Sequence, residues 1–347
     1  MHVVDHTPLA PLTTIRLGGV ARRLVHVERE SELCAAVREL DQRQEPLLVL
    51  GGGSNLVIGD DGFPGTAVRI ATRGRSALRD GDRVLVTAQA GEPWDDFVKN
   101  AVDEGLAGVE CLAGIPGLVG ATPMQNVGAY GQDVSDTIVS LRAWDRERNE
   151  IVTFDRAACA FAYRSSIFRG KHRHVIVEVT FALTPGGQSR PIRYAELSRG
   201  LGIAEHATAP VATVRDIVIA LRRKKGMVLD AADPDTVSAG SFFTNPILDR
   251  AALAAFQART EGLVPPTFPE PDGRSKVSAG WLIEAAGFTK GYGAGRVGVS
   301  SKHALALVNR GGSTAELLDL ARTIRAGVHA RFGVTLENEP VFVGVSL

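Results

Sequence analysis

At 347 residues the chain is long for one ordinary core and suits two or three domains. Its hydrophobic fraction of 44% and charged fraction of 22% are those of a globular protein, and no long unbroken apolar run suggests a membrane span. Lys+Arg 39 against Asp+Glu 39 leaves no formal net charge, which argues against a global electrostatic affinity for nucleic acid or an anionic membrane, so an anionic ligand has to be met locally. The start lacks the basic flank and apolar core of a secretory signal, and Cys34, Cys111 and Cys159 form no CxxC pair. A cytoplasmic monomer with no disulfide framework and no metal site is the expectation.

Arg22 to Val27 reads as a strand, and Ser31 opens an amphipathic helix that runs to Leu40 with Leu33, Val37 and Leu40 on one side. Leu47 to Leu50 is a buried strand that runs into GGGSNLV, where Gly51, Gly52 and Gly53 are followed by the hydrogen-bonding side chains of Ser54 and Asn55. Three glycines at the carboxyl end of a strand suit a place where a ligand lies against main chain; the plain alternative is a flexible turn. Arg83 to Gln89 alternates as a strand, and Pro93 to Val102 is a helix with Trp94, Phe97, Val98 and Ala101 on its apolar face.

The next stretch organises the chain. From Cys111 to Gly131 it reads CLAGIPGLVGATPMQNVGAYG, with glycine at 114, 117, 120, 128 and 131 and no charged residue. Each glycine costs conformational entropy in a helix or strand, so the segment makes better sense as a backbone surface that turns N–H groups toward a phosphate-bearing cofactor. A tightly turned loop is the alternative. The expected cofactor contacts are Gly51 to Asn55, then Gly114, Ile115, Pro116, Gly117, Gly120, Ala121, Gln125, Asn126, Gly128, Ala129, Tyr130 and Gly131.

Val139 to Trp144, Ile151 to Phe154 and His174 to Leu183 read as strands, and the polar connector Thr184 to Arg190 is a candidate domain boundary. Beyond it the pattern is α+β: a helix from Thr213 to Lys225 with a basic end, helices at Ala279 to Ala286 and Thr314 to Phe332, and short strands at Ala304 to Val308 and Val341 to Val345. Gly293, Gly295 and Gly298 satisfy G-x-G-x-x-G in the run GAGRVG, but a helix precedes it and a strand follows. A dinucleotide fingerprint needs the reverse order, so this is read as a loop.

Three short runs place one potent polar group in an apolar or rigid frame: Tyr163 to Phe168 around Arg164, Gly240 to Pro246 around Ser241, and Leu336 to Pro340 with Glu337 and Glu339. A guanidinium held between aromatics can bind a carboxylate through two parallel hydrogen bonds. A hydroxyl beside two phenylalanines with no histidine near it suits a proton donor better than a hydrolase nucleophile. Taken singly, each also fits a surface ion pair, a turn or cap, or a solvated charge.

In order, LGGGSNL, GIPGLVGATPMQNVGAYG, YRSSIF, GSFFTNP, SAGWLIEAAG and LENEPV resemble the motifs of the UDP-N-acetylenolpyruvoylglucosamine reductases, also called UDP-N-acetylmuramate dehydrogenases, over essentially the whole chain. The resemblance implies an α+β fold: a two-part FAD-binding region of the p-cresol methylhydroxylase type, residues 1–70 and 71–187, and a substrate-binding domain, residues 188–347. It implies non-covalent FAD reduced by NADPH, and reduction of the enolpyruvyl UDP-sugar in peptidoglycan precursor synthesis, a step in cell-wall biogenesis that serves cell shape and division. Arg164 and Glu339 match the family's electrostatic pair at the substrate, and Ser241 its proton donor. Tyr194, in Arg193-Tyr194-Ala195-Glu196-Leu197, resembles the substrate-capping tyrosine of one form of the family, and Lys225 and Asn245 match further substrate-binding positions. Asn338 stands where the family has proline and Pro340 is additional, which keeps Glu337 as an alternative to Glu339. A flavin oxidase and a non-enzymatic nucleotide-sugar binder are the competing readings.

Overall fold

The computed structural model describes every residue except Ala294, and the chain divides into two compact units. The first comprises residues 1–7, 21–53 and 64–228; the second comprises 8–20, 54–63 and 229–347. The expected boundary at Thr184 to Arg190 does not coincide with this division. Thr184 and Pro185 still belong to the strand His174–Pro185. The residues after them are tied into the first unit by Gly187 N–H to Gly105 C=O (2.9 Å), Ser189 N–H to Ala209 C=O (2.8 Å) and Val211 N–H to Gly187 C=O (3.0 Å). A connector whose backbone groups are satisfied by one unit belongs to that unit.

In the first unit a four-stranded sheet has the order His2–Pro8, Val20–Val27, Phe63–Ile70, Leu47–Leu50, with Leu47 opposite Thr66 and Leu50 opposite Arg69 in the parallel pair at its edge. The helix Glu30–Gln42 buries Leu33, Ala36, Val37 and Leu40 in a core shared with Val25, Val27, Val68, Trp144 and Val177. It starts at Glu30, one residue before the expected Ser31, with no side-chain cap at Arg29; Glu30 and Glu32 place carboxylates in its first turn, at the positive end of the helix.

The larger, antiparallel sheet of this unit runs Glu150–Asp155, Ile138–Asp145, His174–Pro185, Arg83–Gln89, Arg75–Asp80, and Leu106–Ala107 pairs with the end of His174–Pro185. Beside it, Trp94 and Phe97 of the helix Trp94–Asp103 stack at 5.4 Å between ring centroids, in a core that takes in Phe181 and Val214 and Val218 of the helix Val211–Lys224. The Trp94 indole N–H is satisfied by the Leu112 carbonyl at 3.0 Å, so burial of this large ring leaves no polar atom stranded. That bond also fastens the start of the glycine-rich stretch to the core.

The second unit holds two small antiparallel sheets, Ser238–Ser241, Ala306–Asn309, Val297–Val299 and Ile247–Leu248, Ser275–Val277, Thr267–Pro269, and a parallel pair, Leu56–Ile58 with Val341–Val343. Its helix Thr314–Phe332 matches the expectation at both ends. Ser313 and Glu316 form a reciprocal capping box, and Gly333 ends the helix at φ 70°. Asp60 accepts the N–H groups of Thr314 and Ala315 at 2.8 and 2.9 Å, a carboxylate placed at the positive end of the helix. Phe242, Phe243, Phe256 and Phe332 fill the core beneath.

Candidate active site

The strand Leu47–Leu50 delivers the chain into Gly51, Gly52 and Gly53, the last at φ 63°. A Cβ on Gly52 would lie 2.8 Å from the Cα of Gly117, so the two glycine-rich segments touch backbone to backbone. Only hydrogen fits there. Among the described residues, no protein acceptor takes the N–H of Gly52 or Gly53. A cavity of about 470 Å³ opens beside them, lined by Gly51, Gly52 and Leu118 with Arg69 and Arg73, and by His26 and the carboxylate of Glu28. Free main-chain donors, two arginines and a wall without side chains are what an anionic, partly planar cofactor needs.

The longer stretch divides its residues between packing and surface. Gly114 N–H is taken by Asp95 Oδ1 at 2.6 Å, and Gly120 donates to Ala90 C=O at 2.9 Å while a Cβ on it would lie 2.4 Å from the Ala90 Cβ. Ala121 N–H bonds the Leu118 carbonyl at 3.0 Å. Packing accounts for these three without a ligand. Gly117, Ile115 and Pro116 lie half-buried beside them, and Gln125 and Asn126 are buried. Asn126 bridges two loops, donating to Ala162 C=O and accepting from Ser135 N–H, each at 3.1 Å. Gly128 and Ala129 pair with Asp133 and Gln132, and Tyr130 and Gly131 make the turn between them at φ 49° and 82°.

Arg164 is fastened to this surface. Its guanidinium donates to Gly128 C=O at 2.6 Å, lies 3.8 Å from Asp133, and stacks over the Tyr163 ring at 5.3 Å, with its own backbone at φ 48°. A non-glycine residue in that region is strained and is retained where the surroundings hold it. The next turn is anchored by Ser166 Oγ–H to Met124 C=O at 2.7 Å.

Tyr130 is also the centre of a cluster that brings two other expected residues to the stretch. The Tyr194 ring meets it edge-on at 5.3 Å, and the Lys225 ammonium stands 5.4 Å from its centroid. Burial pushes the Tyr130 hydroxyl up to about 12 and raises that of Tyr194 too, so both stay protonated at neutral pH. Lys225 makes a 2.6 Å bond to Glu196. Arg222, three residues before it, donates to Met227 C=O at 2.8 Å and keeps a buried Nε with no protein acceptor; burial brings its guanidinium down to about 10. Sequence reasoning passed over Arg222 and Glu196. Their signal was the RRKK run at 222–225 and the acidic residue in Tyr194-Ala195-Glu196.

In the second unit, Ser241 ends the strand Ser238–Ser241 opposite Ala306, half-buried, after Gly240 at φ 75°. Phe243 then bridges Asn338: Thr244 N–H donates to Glu337 C=O at 3.0 Å and Glu339 N–H to Phe242 C=O at 2.9 Å. The run bearing Ser241 and the run bearing Glu339 are therefore neighbouring segments, joined by one isolated bridge. Glu339 is half-buried while Glu337 is exposed. Asn55 reaches the same segment, with Nδ2 3.5 Å from Glu339 C=O and its own carbonyl accepting Val341 N–H at 2.9 Å; Ser54 C=O lies 3.5 Å from the Thr14 hydroxyl. Asn245 Oδ1 accepts Ala279 N–H at 2.9 Å, at the start of the helix Ala279–Ala285.

A profile described as FAD binding domain matches residues 21–155, and one described as UDP-N-acetylenolpyruvoylglucosamine reductase, C-terminal domain, matches residues 233–343. The UDP-N-acetylenolpyruvoylglucosamine reductase of Thermobifida fusca (strain YX) is 55% identical over 99% of this chain and 98% of its own. That of Streptomyces coelicolor is 56% identical over 98% of this chain and 90% of its own. The chain belongs to the UDP-N-acetylenolpyruvoylglucosamine reductase family. It is a flavoenzyme of that family, with FAD as its cofactor, as the ordered motifs led one to expect. The crystal structure of the reductase from Thermus caldophilus superposes with a TM-score of 0.66 at 23% identity, covering 99% of this chain and 98% of that one, which bears out the α+β fold. The Gly52–Gly117 contact, the N–H groups of Gly52 and Gly53 and the adjoining cavity fit FAD in the first unit.

Proposed function

We propose that the protein catalyses the NADPH-dependent reduction of UDP-N-acetylglucosamine enolpyruvate to UDP-N-acetylmuramate, a cytoplasmic step of peptidoglycan precursor synthesis. The observation that carries the residue assignment is the isolated bridge of Phe243 with Asn338, which brings the segments bearing a hydroxyl and a half-buried carboxyl side by side. FAD, when bound, supplies the hydride that adds to the enolpyruvyl methylene carbon. Negative charge then spreads from the neighbouring carbon into the carboxylate, and a fixed partner there lowers the barrier. Arg164 is suited to that role because its guanidinium is already held by the Gly128 carbonyl and the Tyr163 ring. Glu339 assists through the hydrogen bond that its neutral carboxylic acid form donates, since an ionised carboxylate would repel the developing negative charge; its burial and backbone bond favour it over the exposed Glu337.

Ser241 Oγ–H hands its proton to the substrate enolate, and solvent restores the proton to the serine oxygen. A free hydroxyl is a weak acid, but an enolate is a strong base and the frame of Phe242 and Phe243 limits competition from water. Tyr194 and Lys225 serve the uridine diphosphate, and Asn245 the rest of the sugar nucleotide. FAD binding is assigned to residues 1–187 and substrate binding to residues beyond 188, of which Tyr194 and Lys225 pack within the first compact unit.

The purified protein is expected to be yellow and to oxidise NADPH slowly until UDP-N-acetylglucosamine enolpyruvate is added. A rate unmoved by that compound, followed at the NADPH absorbance, would refute the assignment.

A further inference from the structure

Lys225 closes the helix Val211–Lys224, and its ammonium has two neighbours of different kinds. One is the face of Tyr130 at 5.4 Å; the other is the Glu196 carboxylate at 2.6 Å, in a pair with side chains 30% and 34% exposed. Glu196 sits in the first turn of the helix Ala195–Leu201, whose leading residue is Tyr194. Leu197 and Ser198 both donate to the Tyr194 carbonyl, at 2.9 and 3.0 Å, so Tyr194 and Glu196 belong to one hydrogen-bonded turn. The same turn is held a second time by the edge-on contact of Tyr194 with Tyr130.

A carboxylate and a diphosphate cannot share one ammonium without placing like charges a few ångströms apart. We propose that Glu196 is the anion that the substrate's diphosphate displaces from Lys225, and that this exchange releases the turn carrying Tyr194. The inference rests on Lys225 as the diphosphate-binding residue. Arg222, three residues before Lys225, adds positive charge near Tyr130. Glu196 thereby lowers substrate affinity and couples arrival of the diphosphate to movement of Tyr194; it is a positioning residue that touches Lys225, not the reacting atoms.

The probe is UDP, titrated calorimetrically against the FAD-loaded enzyme and its Glu196→Gln, Glu196→Asp and Lys225→Ala variants. A pair this exposed is worth a small factor. Glu196→Gln is expected to bind UDP about two- to fivefold more tightly, with KM for the sugar nucleotide falling alike and kcat held. Glu196→Asp, which keeps the charge, stays close to wild type. Amide exchange across Ala195–Leu201, measured without UDP, is expected to be faster in Glu196→Gln than in wild type.

UDP affinity equal to or weaker than wild type in Glu196→Gln overturns the displacement, and unchanged exchange in that variant overturns the coupling to Tyr194. Lys225→Ala is expected to weaken UDP binding. If it binds UDP as tightly as wild type, the placement of the diphosphate on Lys225 fails and this inference with it. Weakened binding in Lys225→Ala beside no gain in Glu196→Gln overturns the inference alone.

Discussion

The two compact units present their functional groups by opposite means. In the first, main chain makes the surface: Gly52 lies against Gly117, and Asn126, Tyr130 and Arg164 all hold positive φ near 49°. In the second, side chains carry the function: Ser241 ends the strand Ser238–Ser241, and the segment bearing Glu339 is tied next to it by the single bridge of Phe243 with Asn338. The difference separates two kinds of fragility. A surface made of backbone fails when a methyl group is added, whereas a strand that carries side chains keeps its shape when one functional atom is removed.

The largest effect expected from this contrast is at Ser241. Ser241→Ala should retain FAD and its rate of reduction by NADPH, while reoxidation by the enolpyruvyl substrate slows about 10²- to 10⁴-fold, read by stopped-flow flavin absorbance. Loss of FAD together with both half-reactions would make Ser241 a structural residue and erase the contrast. Next comes the carboxylate. Glu339→Gln should slow the same half-reaction about 10²-fold, the scale of losing one acidic hydrogen-bond donor at a developing negative charge, while Glu337→Gln stays near wild type. The reverse order would move the functional role to Glu337.

Gly52→Ala tests the other kind of fragility. Its Cβ would meet Gly117 Cα at 2.8 Å, backbone against backbone, where neither side can swing away. The strain of such a contact costs about 1–3 kcal/mol and falls on the cradle itself, so the visible absorbance per protein should drop and the FAD dissociation constant rise. Full FAD content in this variant would mean that the cofactor does not depend on the Gly52–Gly117 contact.

Much of this was readable from residue patterns where the signal is local. The strand Arg83–Gln89 alternates along its length, and the helix Thr314–Phe332 carries its own cap and stop in Ser313, Glu316 and Gly333, so both were placed at their true ends. What escaped depends on partners far along the chain. Leu56–Ile58 is a strand because Val341–Val343 lies beside it, and residues 8–20 and 54–63 join the C-terminal unit through contacts that no local pattern encodes. At the site, the residue types were visible but their wiring was not: nothing in Tyr194-Ala195-Glu196 announces a bond to Lys225, and nothing in MQNVGAYG separates Asn126, which ties loops, from Tyr130, which faces Tyr194 and Lys225.

The smallest effect is expected where glycines are as dense but face only their own surroundings. Gly298, in the strand Val297–Val299, would direct a Cβ at the backbone carbonyls of Gly293 (2.6 Å) and Tyr292 (3.0 Å), which cannot swing away, and at Arg310 Nη1 (2.7 Å), which can. Gly52 meets a segment 65 positions away in sequence that borders a cavity, whereas Gly298 meets its own loop, whose G-x-G-x-x-G spacing lacks the strand-turn-helix order of a nucleotide site. Gly298→Ala should therefore lower thermal stability by about 1–3 kcal/mol, as Gly52→Ala does, but with FAD content and both half-reactions as in wild type, so that its effect on function is the smallest. Loss of FAD from Gly298→Ala on the scale of Gly52→Ala would show that a strained glycine-rich loop holds the cofactor without the adjoining cavity at the carboxyl end of the strand Leu47–Leu50.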